Sequence, residues 1–152
     1  MSSQVTPQFV DALDVLCERW SLLIVREVLQ GVHRFGQLQR ALGVSRNVLT
    51  DRLRKLEALG VLERRRYRDD VPWYDYCLTD RGLELCPAII AVSNWASEHL
   101  ASDGGDEQLT LRVRHRACGR EADGQLVCIE CGLPVDPRNI IAVAPDDSRG
   151  QG

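Results

Sequence analysis

Four residues near the end of this 152-residue chain have the types and spacing of metal ligands. His115-Arg-Ala-Cys118-Gly119 and Cys128-Ile-Glu-Cys131-Gly132 are two matching ligand-x-x-Cys-Gly units, with nine residues between Cys118 and Cys128. Two residues between ligands let both side chains turn onto one tetrahedral ion, and the following glycine permits the tight backbone turn around the sulfur. Three thiolates and an imidazole would make a closed, structural Zn2+ site. Two other readings stand beside it. Cys128 and Cys131 could be a redox-active pair. His115, within the basic run Arg112-Val-Arg-His-Arg, could be a surface residue, with a different fourth ligand or none.

A second constellation lies between positions 45 and 68. Ser45, Arg46, Asn47, Thr50, Asp51, Arg54 and Lys55 follow one another closely, and Arg64, Arg66 and Arg68 alternate further on. Arginine bonds guanine O6 and N7, asparagine pairs with adenine N6 and N7, and a carboxylate accepts from cytosine N4. Ser45 and Thr50 suit phosphate oxygens, and Arg46 either a base edge or a phosphate. Asp51 has the alternative task of orienting Arg54, and Asp51 with Arg54 or Lys55 could equally be ordinary surface pairs.

These side chains need a frame, and hydrophobic periodicity supplies one. Gln8 to Leu16 and Trp20 to Leu29 read as two helices, and Phe35-Gly-Gln-Leu-Gln-Arg-Ala-Leu as a third, stopped by Gly43. Ser45 caps a fourth over Arg46 to Leu59, whose Leu49, Leu53, Leu56 and Leu59 form one inward stripe. At 100° per residue Asn47, Asp51, Arg54 and Ala58 fall on the opposite side, flanked by Thr50 and Lys55. After Gly60, Val61 to Arg68 and Trp73 to Leu78 read as a hairpin joined by Asp69-Asp-Val-Pro72, with Arg64, Arg66 and Arg68 on one strand face. Thr79 and Asp80 then cap a long helical stretch to about Leu100, which Pro87 should kink.

Residues 102–108 read as a polar, glycine-containing linker, 109–145 as a small β-rich module with strands at Leu109 to Arg114 and Gln125 to Val127, and 146–152 as a disordered tail. The module's 37 residues are few enough that a metal, disulfide or partner is usually needed for folding. The expected fold class is thus mainly α with a β-hairpin wing, a winged helix-turn-helix over 7–101, followed by a zinc-ribbon-like appendage.

Charge marks the same segment. Residues 31–70 hold ten Lys and Arg against five Asp and Glu, a net +5, whereas the whole chain carries −3. Positive charge concentrated on a helix-turn-helix and its hairpin favours double-stranded DNA as partner, although a solvated charged face would give the same count. The 44% hydrophobic and 27% charged composition is that of a foldable globular chain. With no basic run preceding an apolar stretch at the N-terminus and no apolar cluster long enough for a bilayer, no membrane partner and a cytoplasmic location are expected. Cytosolic thiols argue against a disulfide framework for the six cysteines.

The ordered motifs Asp14-Val-Leu-Cys-Glu-Arg-Trp20, Arg34-Phe-Gly-Gln-Leu, Val44-Ser-Arg-Asn-Val-Leu-Thr-Asp-Arg-Leu-Arg-Lys-Leu-Glu and Tyr74-Asp-Tyr-Cys-Leu-Thr-Asp-Arg-Gly resemble those of the HxlR-type regulators, a MarR-related winged-helix family. The resemblance covers about residues 7–101. It implies a homodimeric transcription factor, commonly a repressor, whose first and last helices, here Phe9 to Leu16 and Asp80 to Leu100, form the dimer interface. Some members sense oxidants through a cysteine ahead of the first helix. Pro7 and Gln8 stand near that position here, and Cys17, Cys77 and Cys86 are expected to be small buried hydrophobes.

The resulting expectation is a sequence-specific regulator on an inverted-repeat operator, with a structural Zn2+ and an unidentified small-molecule effector whose pocket lies between the DNA-binding part and the dimer helices. The competing reading is a winged-helix module whose charged hairpin binds another protein. No Ser/His/Asp set, Gly-rich phosphate loop or paired carboxylates at usable spacing supports an enzyme.

Overall fold

The left-handed conformation that Gly43 adopts, with φ 62°, ends one helix and turns the chain into the next. In the computed structural model, which describes residues 7–66, 73–100, 111, 113–122, 124–135 and 138, these two helices are α3 (Phe35–Leu42) and α4 (Arg46–Ala58). Ser45 precedes α4 in extended conformation, and its Oγ accepts from the Val48 N–H at 3.4 Å. Helices α1 (Pro7–Leu16) and α2 (Arg19–Leu29) come before them; strands β1 (Leu62–Arg66) and β2 (Tyr74–Leu78) follow, then α5 (Asp80–Leu83) and α6 (Cys86–His99).

Helix α4 stops one residue before the expected end. The Gly60 N–H, at φ 70°, bonds the Glu57 carbonyl at 2.9 Å, and the Val61 N–H bonds the Leu56 carbonyl at 2.9 Å. This pair of bonds satisfies the last carbonyls of the helix and brings Val61 back against Leu56, both buried. Leu59 is consequently exposed, and the inward stripe consists of Leu49, Leu53 and Leu56. Together with Ile24, Val25 and Val28 of α2, Leu38 of α3, and Val61 and Leu62, these side chains make the core. Each such aliphatic side chain contributes about 1.5–3 kcal/mol through burial.

Strands β1 and β2 pair antiparallel in the register Leu62↔Leu78 to Arg66↔Tyr74. A loop holds the outer side of β2: the Tyr76 N–H donates to the His33 carbonyl at 2.8 Å, and His33 Nδ1 donates to the Tyr76 carbonyl at 3.0 Å. The hairpin tip, 67–72, with Arg68, lies outside the described residues.

Pro87 does not kink a long helix as expected; it opens a new one. Helix α5 is a single turn, and Pro87 sits in the first turn of α6, where its missing N–H has no intrahelical acceptor to lose. The cap at Thr79 is as expected. Its Oγ1 accepts from the Gly82 N–H at 3.1 Å and donates to the Gly60 carbonyl, while the Thr79 N–H donates to the Val61 carbonyl at 3.1 Å. Arg81 Nη1 reaches the Leu59 carbonyl at 2.9 Å. The Thr-Asp-Arg-Gly segment thereby clasps the turn that ends α4.

The chain divides into two compact units, Met1–Leu111 and Arg112–Gly152. In the second, β3 (Val113–Arg114) pairs with β4 (Glu121–Ala122), and Val127 bridges Pro134. The expected strand over Gln125 to Val127 is reduced, among the described residues, to that bridge. The expected linker 102–108 and tail 146–152 lie outside the described residues.

Gly82 has no room for a side chain, because a Cβ there would stand 2.2 Å from the Val61 carbonyl oxygen. Gly82→Ala is therefore expected to lower stability by about 1–3 kcal/mol, read as a shift of the urea midpoint; an unchanged midpoint would contradict the clasp.

Candidate nucleic-acid interface

Burial of Leu49, Leu53 and Leu56 fixes the rotation of α4 and leaves Asn47, Asp51 and Arg54 exposed on its outer face, as the periodicity anticipated. Arg46 and Lys55 are exposed as well, and Thr50 is half-buried. The Thr50 hydroxyl donates to the Arg46 carbonyl at 2.8 Å, so its proton is committed to its own helix, whereas Ser45 uses its oxygen as an acceptor and keeps its proton. Asp51 does not turn to Arg54. Its carboxylate lies 3.3 Å from Lys55 Nζ and 3.4 Å from Arg52, leaving the Arg54 guanidinium exposed without that partner.

Arg52 points the other way, into an ion pair with Glu18, which Lys55 also approaches at 3.5 Å. Glu18 is the residue before α2, and the paired Glu18 Oε2 and Arg52 Nη1 are shielded from solvent. The pair ties the start of α2 to the middle of α4 and sets the height of the outer face.

On the hairpin, Arg64 is held on two sides. Its Nε donates to Glu57 Oε1 of α4 at 2.6 Å, and its guanidinium lies 5.7 Å from the centre of the Tyr74 ring. Arg66 is exposed. The wing is thus pinned to α4 at its base and presents its outer arginine freely. Burial pushes the Tyr76 phenol above its usual range, and the nearby Glu57 carboxylate adds to this.

The structure adds residues that periodicity alone did not single out. Arg34, Gln37 and Arg40 of the α3 segment and Trp73 and Tyr74 of the wing join Arg46, already named from the sequence, in lining one open cleft of about 580 Å³. Arg46 lies over the Phe35 ring at 5.5 Å, and Arg34 approaches Asp75 at 3.6 Å. A concave wall of three arginines and four aromatic rings, Phe35 and Tyr76 included, beside a helix N-terminus suits a phosphodiester backbone. The signal present in the sequence was the charge count of 31–70, which included Arg34 and Arg40 without locating them.

Residues 15–103 match the model of the HxlR-like helix-turn-helix family, which is more than half of the chain. The chain belongs to the HxlR family. An HTH-type transcriptional regulator of Mycobacterium tuberculosis, itself uncharacterised, is 42% identical over 129 residues, covering 85% of this chain and 80% of its own. The crystal structure of PA1607, assigned as a transcription factor, superposes with a TM-score of 0.75 at 29% identity over 94% of this chain and 97% of its own. Quinone-bound YodB from Bacillus subtilis superposes with a TM-score of 0.53 at 26% identity, covering 62% of this chain and 99% of its own. This HxlR-family chain is therefore a transcriptional regulator with a helix-turn-helix DNA-binding fold, and not an enzyme. No helix among its described residues is long and apolar enough to cross a membrane.

The HxlR chain's cysteines fall into two groups. Cys77 and Cys86 are half-buried, and burial pushes both thiols up, as suits small hydrophobes. Cys17 departs from that expectation and is exposed, because it lies in the bend between α1 and α2. In the second unit His115 Nδ1 and Cys118 Sγ lie 3.5 Å apart, and Cys128 and Cys131 are in mutual contact; the backbone N–H groups of Cys131 and Glu130, and after them the Cys131 thiol, hold the Cys128 thiol below its usual range. The structure brings each pair together but not the two pairs: among the described residues no three His, Cys, Asp or Glu side chains gather within reach of one ion.

Glu18→Gln removes the charge that Arg52 faces. It is expected to destabilise the HxlR domain by about 1–3 kcal/mol, measured by thermal or urea unfolding. Arg52→Met on top of Glu18→Gln should recover part of the loss; a fully additive double variant would show that the pair does not couple α2 to α4.

Proposed function

We propose that this protein is a homodimeric repressor that binds an inverted-repeat operator through the outer face of α4. The observation that carries the reading is the fixed rotation of α4, with its leucine stripe in the core and Asn47, Asp51 and Arg54 outward, flanked by the arginine-lined cleft and the wing. In this reading Asn47 and Arg54 contact base edges, with Asp51 a candidate acceptor from cytosine. Arg46 serves a base edge or a phosphate, and Ser45, Lys55, Arg64, Arg66 and Arg68 the backbone, which Thr50 joins only by releasing the Arg46 carbonyl. Arg64, already neutralised by Glu57, acts mainly by fixing the wing.

Dimerisation is supported by what the HxlR unit leaves uncovered. Helix α1 buries none of its residues, and Phe9, Val92 and Trp95 are 57%, 61% and 56% exposed. Apolar stripes on the first and last helices of the domain suit a two-fold interface, which would set two copies of α4 about one DNA turn apart.

A cleft of about 780 Å³ between α1, the end of α4 and α5 is lined by Leu16, Leu59, Val61, Arg81 and Leu85 among others. It is the candidate seat for a small-molecule effector, a role supported by the quinone bound to YodB. Arg81 lines this cleft and also holds the Leu59 carbonyl, so an occupant that displaced Arg81 would loosen the end of α4.

Selection from random duplex DNA should enrich an inverted repeat. On that site Arg54→Ala and Asn47→Ala should each cost about 1–3 kcal/mol and relax specificity, whereas Arg66→Ala should weaken all sequences alike and reduce the salt slope by about one. Equal losses on selected and random DNA for all three variants would contradict the division of roles. A folded dimer that enriches no sequence would favour the protein-interaction module instead.

A further inference from the structure

We propose that His115, Cys118, Cys128 and Cys131 hold one structural Zn2+ that clasps the tips of two short hairpins in the C-terminal unit. The two tips are built alike. In the first, the Gly119 N–H donates to the His115 carbonyl at 2.8 Å and the His115 N–H donates to the Arg120 carbonyl at 2.8 Å. In the second, the Gly132 N–H donates to the Cys128 carbonyl at 2.8 Å and the Cys128 N–H donates to the Leu133 carbonyl at 2.9 Å. Gly119 and Gly132 have φ of 70° and 71°, the left-handed turn that each tip requires. One backbone device, used twice, presents a first ligand and a second ligand three residues on.

Within the first pair the spacing of donor atoms agrees with a metal. Zinc–sulfur and zinc–nitrogen bonds of about 2.3 Å and about 2.0–2.1 Å at a tetrahedral angle place sulfur and nitrogen about 3.5–3.6 Å apart. Cys118 Sγ and His115 Nδ1 already lie 3.5 Å apart. The second pair consists of two free thiols in contact.

The unit also needs such a clasp. No residue of it with a described side chain is buried, and Leu126, Val127, Ile129 and Leu133 are all exposed. A module of this size whose described residues bury no apolar side chain is the kind that cross-links or a metal hold. The ion supplies the contact between the two tips, so binding and ordering of the unit are one process. Four protein ligands leave no open position, which makes the site structural. This proposal is independent of the DNA-binding reading.

The test is metal analysis of the full-length chain purified under reducing conditions, followed by exchange with Co2+ and absorption spectroscopy. One zinc per chain is expected, with a cobalt spectrum of a tetrahedral, thiolate-rich site. Cys118→Ser and Cys131→Ser should each weaken zinc retention by more than the roughly 10–100-fold that loss of an outer-shell partner costs. Cys17→Ser should retain zinc in full, and His115→Cys should retain it while shifting the cobalt bands toward a four-thiolate site. That last readout keeps the proposal falsifiable even where a serine variant fails to fold. A reduced chain without stoichiometric zinc, or zinc retained undiminished by Cys118→Ser and Cys131→Ser, would overturn the proposal. Operator binding, measured separately on the same samples, reports on the other reading.

Discussion

The domain depends on the contact between the Thr79-Asp-Arg-Gly82 segment and the turn at 59–61. Helix α4 ends there, the wing begins there, and α5 starts from the far side of the wing. A hydroxyl that accepts from Gly82 and donates to Gly60, an arginine on the Leu59 carbonyl and a glycine packed directly on the Val61 carbonyl lock these three elements together. The bonds satisfy backbone groups at a helix end that has little else to pair with. This closure, together with the Arg64–Glu57 pair, fixes where α4 and the wing stand relative to one another.

Within that frame the basic residues sort by task. Arg52 is spent on Glu18 and Arg64 on Glu57, so two of the ten cations of the basic segment hold the scaffold instead of facing outward. Arg54 and Arg66 remain exposed on α4 and the wing. Charge counting cannot make this distinction, because it depends on which carboxylates the fold brings near. Half-buried pairs of this kind contribute chiefly by avoiding an unpaired charge, and so by fixing an arrangement.

Much of the helix-turn-helix was legible because its signals are local. Gly43, Ser45 and the spacing of Leu49, Leu53 and Leu56 each act within a turn or two, and α3 and α4 lie where those residues put them. The misreadings arise where a second rule competes. Leu59 fits the helical stripe, yet Gly60 ends the helix before its side chain can turn inward. Pro87 fits a kink, yet the first turn of a new helix accommodates it without loss. The arginine-lined cleft was legible only as Arg46 and an excess of charge over 31–70, since it joins Arg34 and Arg40 to Trp73 and Tyr74, which are distant in sequence. The Glu18–Arg52 pair is hidden for the same reason. In the C-terminal unit the ligand-x-x-Cys-Gly repeats correctly marked two matching turns, because a left-handed glycine after a short loop is again a local rule.

One feature of the wing bears on solubility. Strand β2 is paired on both sides, by β1 and by His33, whereas among the described residues no strand lies along the outer side of β1. An open strand edge is a template for adding another chain, and proteins concentrated side by side invite that pairing. Glu63, Arg64, Arg65 and Arg66 form an unbroken charged run along this edge. Two wings meeting edge to edge would have to bring like-charged guanidinium groups together and strip their water. The arginines that suit the wing to a polyanion thus also keep neighbouring molecules from growing a continuous sheet.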